Sequence, residues 1–315
     1  MRLLFFGSGA FGIPTLASLV ERHEVVAVVS QPDKPAGRKR VLTPTPVAQW
    51  ASRRGLTVHR EGDVNSPAFV RRVAGYRAEA SVVIAFGQKL GEPLIDAMGS
   101  LAVNLHASLL PSYRGAAPIN WAMIDGLQTT GVSVIALAQR MDAGEVYGSA
   151  SLSIDPRETA GELHDRLAQL GPAAIGGVLD DLEAGTLNPV IQDESKATKA
   201  RKFTKADGTV DFNQPAAAVR ARVHGLTPWP GCRVLWHRAQ AEPTPVTLVR
   251  VEGLDTQTSS AQPGSVIQSQ QIACANGAIR PLELQIPGKR VMPLAAFTAA
   301  NPMIPGQHFT QFHIS

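Results

Sequence analysis

Two polar side chains lie two residues apart in the stretch AVNLHASLLPSYRGAAPIN, residues 102–120. They are Asn104 and His106, and on a β-strand this spacing turns both side chains to one face. An amide beside an imidazole suits a reaction in which a carbonyl oxygen gains negative charge, because the amide donates to that oxygen and the imidazole donates or exchanges a proton. Taken alone, the pair fits better two polar residues that satisfy backbone groups at a strand end. The surrounding sequence is therefore needed to distinguish a catalytic pair from a structural one.

A second pattern lies at the start of the chain, where an apolar run ends in GSGAFG, residues 7–12. The spacing G-x-G-x-x-G predicts a tight strand-to-helix turn and is found in dinucleotide-binding domains. Such a site also needs an acidic residue at the end of the second strand. Asp33 lies at about the right sequence distance, but it follows Pro32 in a segment that reads as an exposed loop. The glycines alone leave nicotinamide binding as an open alternative.

The first 190 residues alternate strand-like and helix-like segments. Near-continuous apolar runs over residues 3–6 and 25–29 predict strands buried on both faces, and residues 80–85, 102–106 and 132–137 are further strand candidates. Apolar periodicity and terminal signals predict helices over 13–20, 118–125 and about 160–181. This alternation predicts a doubly wound, Rossmann-like α/β domain over residues 1–191. Open sheets of this kind hold ligands at the carboxyl ends of their strands, where Asn104 and His106 are expected.

The remaining sequence has a different character. Residues 192–206 are polar, without apolar periodicity, and are predicted to be a linker. Short β-like segments separated by Gly and Pro turns then predict a small β-barrel over residues 207–315. Residues 201–315 carry 11 Lys and Arg against 6 Asp and Glu, whereas residues 1–200 carry 19 against 20. The excess positive charge of the last third suggests a polyanionic partner, although a solvated basic surface would give the same composition.

Composition excludes several classes of protein. The chain has 315 residues, and its longest apolar runs are strand-sized, far short of the roughly 20 residues that span a bilayer. We see no secretory signal at the N-terminus and expect a cytoplasmic protein without a membrane partner. Cys232 and Cys274 are too few and too isolated for a disulfide framework or a zinc site, and we expect no metal.

Several stretches together resemble one known family. NLHASLLPSYRGAAPIN at 104–120 resembles the signature of the methionyl-tRNA formyltransferases, within the wider family that uses 10-formyltetrahydrofolate. The same family is matched in order and spacing by SQPDKPAGRKRVLTPTPV at 30–47, VVIAFGQKL at 82–90, MDAG at 141–144 and LTPWPG at 226–231. The resemblance spans nearly the whole chain. It implies that the glycine turn belongs to a fold in which no nicotinamide is used.

The resemblance implies an activity and a set of functional residues. The activity is transfer of a formyl group from 10-formyltetrahydrofolate to the α-amino group of initiator methionyl-tRNA, without metal or NAD, in an expected monomer. The family's catalytic trio corresponds to Asn104, His106 and Asp142, although an Asp before Ala-Gly is by itself more often a turn former. Three further groups are implied: folate-binding residues Ser108, Leu109, Leu110 and Pro111; a border of the same pocket at Phe86, Gly87 and Gln88; and tRNA-binding residues Arg38, Lys39 and Arg40. The C-terminal domain would be an OB-like barrel that binds tRNA.

Three positions depart from the family pattern, and other functions remain to be tested. Ser112, Arg140 and Lys199 stand where the family commonly has a basic residue, a glycine and an aromatic residue. They leave the tRNA affinity and the shape of the loop at Asp142 open. A formyltransferase for an amino sugar nucleotide would share the trio and differ only in its acceptor. A non-catalytic RNA-binding protein and a dinucleotide-dependent oxidoreductase are alternatives from other classes.

Overall fold

The computed structural model describes residues 1–37, 39–255 and 261–312. The chain divides into two compact units, each built from more than one segment. Unit 1 comprises Met1–Gly115, Gly131–Leu152 and His164–Lys199. Unit 2 comprises Ala116–Thr130, Ser153–Leu163 and Ala200–Ser315.

The first half of the described chain alternates strands and helices as expected. Its strands are β1 Arg2–Gly7, β2 Glu24–Ser30, β3 Lys34–Ala36, β4 Val41–Thr43, β5 Val58–Arg60, β6 Ala80–Ile84, β7 Leu101–His106, β8 Arg114–Gly115, β9 Thr129–Ala136 and β10 Val146–Ser153. The helices up to residue 184 are α1 Ile13–Arg22, α2 Pro46–Arg53, α3 Pro67–Gly75, α4 Glu92–Asp96, α5 Pro118–Ile124, α6 Ala160–Ala168 and α7 Gly171–Ala184.

A seven-stranded sheet forms the centre of unit 1, in the order β10-β9-β7-β6-β1-β2-β5. Strands β5, β2, β1, β6 and β7 are mutually parallel, whereas β9 runs antiparallel to β7. The chain reverses its direction of winding between β1 and β6, which is the doubly wound arrangement. Apolar residues of β1, β2 and β6 are buried on both faces, as their continuous hydrophobic runs predict.

Two elements of unit 1 differ from the sequence-based expectation. The predicted long helix over 160–181 is two helices, α6 and α7, because Pro172 at the start of α7 lacks the N–H that a continuous helix would need. The segment 31–43, expected as a loop, contains an antiparallel hairpin in which Lys34 pairs with Thr43 and Ala36 with Val41. Gly37, at φ +67°, and Arg40, at φ +50°, provide the positive φ values that so short a connection requires.

Unit 2 is built around an antiparallel sheet. The remaining elements are β11 Lys199–Ala200, α8 Ala216–Gly225, β12 Cys232–His237, β13 Thr244–Leu254, β14 Val266–Ile267, β15 Gln271–Ala273, β16 Ala278–Gln285, β17 Met292–Pro293, α9 Leu294–Ala300 and β18 His308–Gln311. The sheet order is β14-β15-β16-β13-β12-β18, with β17 beside β16. Within the described part of this unit no closed barrel is formed by strand ladders. A single bridge between Ser265 and His308 connects the two ends of the sheet.

The core of unit 2 contains residues distant in sequence from its sheet. Trp236, Phe297 and Phe309 are fully or almost fully buried at its centre. Trp121 and Ile124 of α5 pack against this core, and the Trp121 ring stacks on Phe203 with 4.8 Å between ring centroids. The segment 192–206 therefore contributes a buried aromatic side chain, which its polar composition did not indicate. The domain boundaries inferred from sequence stay a prediction.

Candidate active site

The carboxyl end of β7 carries the amide and the imidazole identified from sequence. Asn104 lies opposite Val83 of β6 and Ile135 of β9, so it is held in the middle of the sheet. Its side chain is half-buried and makes no hydrogen bond to any residue that the structure describes. His106, two residues further on, is 6% exposed. The same face of the strand thus holds a nearly buried imidazole and an amide that is hydrogen-bonded to none of the described residues.

His106 and Asp142 are 36 positions apart in sequence and meet in the fold. The Nδ1 atom of His106 lies 3.6 Å from Oδ2 of Asp142, and both side chains are largely buried. The Nε2 atom lies 2.9 Å from the carbonyl oxygen of Tyr113. A carbonyl only accepts, so Nε2 carries a proton and donates to Tyr113. A proton on Nδ1 would lie between the ring and the carboxylate of Asp142.

The backbone at Asp142 has an unusual conformation that directs its carboxylate inward. Asp142 has a φ of +56°, in the left-handed region that residues other than Gly, Asn and Asp rarely adopt. Its Oδ2 accepts a hydrogen bond of 2.8 Å from the Gly115 N–H. A Cβ on Gly144 would lie only 2.0 Å from the Ala136 carbonyl oxygen, so a glycine is required where this turn presses against β9.

The segment after His106 is fixed by polar contacts of its serines. Ser108 is fully buried, and its hydroxyl donates to the Ser112 carbonyl at 2.6 Å. Ser133 of β9 donates to the Ser108 carbonyl at 2.8 Å and accepts from the Leu110 N–H at 3.0 Å. The side chains of Leu109, Leu110 and Pro111 are half-buried. The loop therefore presents a partly exposed apolar edge on a fixed backbone.

Phe86, Gly87 and Gln88 follow the end of β6, the strand next to β7. The Phe86 side chain is 4% exposed and packs edge-on against Phe6, so it belongs to the core of unit 1. Its carbonyl accepts hydrogen bonds from Ser8 and Gln31. Gly87 is exposed with a φ of +82°, and the Gln88 amide donates to the Glu61 carbonyl at 2.8 Å. Gly87 and Gln88 are the members of this group that remain partly exposed.

Two of the three cations expected to contact tRNA lie at the turn of the hairpin of β3 and β4. Lys39 and Arg40 are exposed at its turn, and Arg38 lies outside the described residues. Val41 and Leu42 of the same hairpin are 60% and 66% exposed. The hairpin therefore presents both positive charge and apolar surface to solvent.

Sequence reasoning missed a polar network behind Asp142. Gln192 and Arg114 are each 8% exposed, and Arg114 binds both Gln192 and Glu194. Hydrogen bonds from Arg114 and, to a smaller extent, from Arg140 lower the pKa of Glu194 to about 2. Arg140, one of the departures from the family pattern, thus has a carboxylate partner at 2.8 Å. The sequence signal is the stretch of charged and amide side chains that begins at Gln192, eight residues after the end of α7, and composition alone assigns this stretch to a linker.

The described residues show neither a metal-binding cluster nor a membrane-spanning helix. Within residues 1–37, 39–255 and 261–312, no three His, Cys, Asp or Glu side chains come close enough together to hold a metal ion. The helices of the same ranges include none with the length and apolar character needed to cross a membrane.

The fold and the site define an α/β domain with a histidine–aspartate pair at the carboxyl end of its central strands, followed by an antiparallel-sheet domain. Residues 1–179 match the family model described as formyl transferase, and residues 202–302 match the model for the formyl transferase C-terminal domain. The chain belongs to the formyl transferase family.

Its relatives match it from end to end. A protein named methionyl-tRNA formyltransferase from Solibacter usitatus is 37% identical and covers 100% of both chains. Proteins of the same name from Heliobacterium modesticaldum and Lachnospira eligens are 38% and 36% identical, covering 98% and 97% of this chain and 100% and 98% of their own.

Solved structures show the same fold at low identity. An N-formyltransferase from Helicobacter canadensis, in complex with folinic acid and dTDP-3-aminofucose, is 11% identical with a TM-score of 0.67, covering 89% of this chain and 99% of its own. HypX from Aquifex aeolicus, in complex with tetrahydrofolic acid, is 17% identical with a TM-score of 0.61. That match covers 95% of this chain and 47% of HypX.

Proposed function

We propose that this chain transfers the formyl group of 10-formyltetrahydrofolate to the α-amino group of initiator methionyl-tRNA. The observation that carries the proposal is the end-to-end similarity to proteins named methionyl-tRNA formyltransferase, at 36–38% identity through both matched domains. A chain that shared only the catalytic chemistry would need no such similarity in its second domain.

The reaction is an acyl transfer in which this chain's residues manage charge and protons. The amine nitrogen attacks the formyl carbon, and the oxyanion that forms accepts a hydrogen bond from Asn104. His106 donates to the same oxyanion once its Nε2 proton leaves the Tyr113 carbonyl for the substrate. Asp142, 3.6 Å from the ring, orients the imidazole and balances its charge. A proton passes from the attacking amine to the leaving folate nitrogen, and the bond between that nitrogen and the formyl carbon then breaks.

Folate binding is assigned to the loop after β7. The half-buried Leu109, Leu110 and Pro111 offer an apolar edge for a flat ring system, and the buried Ser108 holds their backbone in position. Gly87 and Gln88 border the same pocket, together with the backbone of Phe86. No metal and no nicotinamide takes part in the proposed step.

The tRNA is bound by phosphate contacts from two basic surfaces. One is the hairpin of β3 and β4, with Arg38, Lys39 and Arg40. The other is the domain over residues 207–315, which we assign to an OB-like barrel. The bridge from Ser265 to His308 supports this assignment because it joins the outer strands of the sheet. We assign residues 1–191 to the catalytic domain and 192–206 to the segment that follows it, in which Gln192 is buried within unit 1 and Phe203 within the core of unit 2. We propose a monomeric cytoplasmic protein.

A side-by-side assay of acceptors tests the function. The purified chain receives 10-formyltetrahydrofolate labelled in the formyl group and one of three acceptors: charged initiator tRNA, charged elongator tRNA or a free amino sugar nucleotide. We expect fast transfer to the charged initiator tRNA. Absence of transfer to any tRNA contradicts the proposal.

The second candidate is transfer to an amino sugar nucleotide. It is favoured by one observation, the shared fold with sugar N-formyltransferases at TM-scores of 0.66 and 0.67. The identities of 10% and 11% are far below those to the tRNA-directed proteins. Transfer to the sugar nucleotide without transfer to tRNA would favour this candidate.

A further inference from the structure

We infer that Gln192 is a positioning residue that holds Asp142 in the conformation in which its carboxylate faces His106. This inference rests on the proposed function, because it assigns Asp142 a role in formyl transfer. It goes beyond that function by adding a residue from the segment predicted to be a linker.

The first argument is the set of atoms that Gln192 contacts. Its Nε2 group donates to the carbonyl oxygens of Asp142, at 2.9 Å, and Gly144, at 2.6 Å. One amide therefore fixes both ends of the three-residue turn that begins at Asp142. Gln192 is 8% exposed, so water has little room to replace these bonds.

The second argument is that a glutamine suits this position and its charged analogue does not. The Oε1 atom of Gln192 accepts from Nε of Arg114 at 3.1 Å and from Nη2 at 2.7 Å. Donors face two carbonyl oxygens and the acceptor faces a guanidinium, so only one orientation of the amide satisfies every partner. A glutamate would keep the bond to Arg114 and present an oxygen to both carbonyls.

The third argument is that the turn needs external support. Asp142 has a φ of +56°, in a region that aspartate adopts more readily than most residues but that an unsupported chain still populates rarely. Its carboxylate has one backbone donor, the Gly115 N–H. Gly115 follows Arg114, which Gln192 also binds. Gln192 thus connects the segment that contacts the carboxylate with the turn that carries it.

The interaction of Asp142 with the imidazole is sensitive to small displacements. The distance from Oδ2 of Asp142 to Nδ1 of His106 is 3.6 Å, which is already longer than a direct hydrogen bond. A shift of the turn by an ångström would remove the interaction. Misplacement of a catalytic group on this scale costs on the order of 100-fold in rate. We therefore expect Gln192→Glu and the uncharged Gln192→Met each to lower kcat by about 10- to 100-fold, with the KM of both substrates within about twofold of wild type.

A double-mutant cycle separates positioning from general damage. If Gln192 acts through Asp142, Gln192→Met changes kcat by less than about threefold in an Asp142→Asn background. An equal loss in both backgrounds overturns the inference, as does a rise in KM with kcat unchanged. Gln169→Glu is the control, since Gln169 is an exposed glutamine of unit 1 outside the site. This control keeps wild-type kcat.

A spectroscopic measurement keeps the inference testable independently of activity. In protein labelled with ¹⁵N-histidine, Asp142→Asn shifts the Nδ1 resonance of His106, and we expect Gln192→Met to shift it in the same direction. An unchanged resonance in a folded Gln192→Met protein overturns the inference. Failure of the wild-type chain to formylate tRNA would instead contradict the proposed function. Thermal unfolding of each variant shows that the measured population is folded.

Discussion

The amide of Asn104 is available for catalysis because no described residue occupies it. The formyl oxygen gains most of its charge only as the amine adds, so a donor aimed at that oxygen acts mainly in the transition state. Loss of one such donor costs about 10²–10³ in kcat, or roughly 2.7–4 kcal/mol. We expect Asn104→Ala to lower kcat by this factor, with little change in KM for either substrate, in steady-state formyl-transfer assays.

Asn104→Asp is expected to be at least as damaging, because it adds an anion where the oxyanion forms. Asn301→Ala serves as the control, since that amide only caps α9 through the Phe297 carbonyl at 3.1 Å. A purely structural Asn104 would instead give a lower melting temperature and nearly normal turnover. Measuring kcat and melting temperature on one preparation distinguishes the two roles.

At the scale of elements, helix α8 and strand β13 are joined by a buried histidine. The Nε2 atom of His224 accepts from the Val251 N–H at 3.1 Å, and the residue is 2% exposed. Burial and, to a smaller extent, repulsion from Arg250 and Arg220 lower the pKa of His224 from its ordinary value of 6.5 to about 4. The folded protein therefore holds this ring neutral in a pH range where an unfolded chain protonates it.

This difference in pKa gives unit 2 an acid-sensitive stability. In the unfolded state His224 becomes protonated below about pH 6.5, whereas in the folded state it becomes protonated only near pH 4. The free energy of unfolding therefore falls as the pH falls from 6.5 to 4. Between pH 6.5 and 5 the loss is on the order of 2 kcal/mol. We expect His224→Gln to reduce the acid-induced fall in melting temperature, and the control His164→Gln, at the 36% exposed His164, to retain it. Equal slopes in all three proteins would refute this assignment.

The hairpin of β3 and β4 gives the second prediction at this scale. We expect Arg38→Ala to weaken tRNA binding and to lower the salt slope of log K by about 1, because one phosphate contact is lost. Folate affinity stays the same. Arg71→Ala, an exposed cation on α3, is the control and leaves both quantities unchanged. Loss of folate affinity with an unchanged salt slope would mean that the hairpin has a different role.

At the scale of the whole molecule, the basic last third is expected to bind RNA on its own. Because Phe203 is buried in the core of unit 2, a fragment for this purpose should begin at residue 200. We expect fragment 200–315 to bind tRNA weakly and with strong salt dependence, since its excess charge is positive. It should unfold more readily than the intact chain, because Trp121 and Ile124 no longer cover its core.

Filter binding at several salt concentrations measures the affinity of this fragment, and thermal unfolding measures its stability. A folded fragment without tRNA affinity would contradict the assignment of this region. The assignment would also be contradicted if a truncated chain, residues 1–199, bound tRNA as tightly as wild type and with the same salt dependence.

The sequence by itself determined the features that depend on local periodicity. Continuous apolar runs identified β1, β2 and β6, because strands buried on both faces need apolar residues at nearly every position. Alternation along β7 set Asn104 and His106 on one face, and the resemblance to the formyltransferases singled out Asp142. Family membership followed from the same stretches, because their order and spacing are properties of the chain alone.

Only the tertiary structure decided which distant segments meet. The contact of Asp142 with Gln192 joins positions 50 residues apart, and the packing of Trp121 on Phe203 joins positions 82 apart. A polar segment such as 192–206 resembles a linker by composition, since periodicity reports only burial against a regular element. The side-chain amide of Gln192, which binds two carbonyl groups and a guanidinium, produces no periodic pattern in the sequence. Its position depends on the path of the whole chain, because the full set of hydrogen bonds at Gln192 forms only after three separate segments have been brought together.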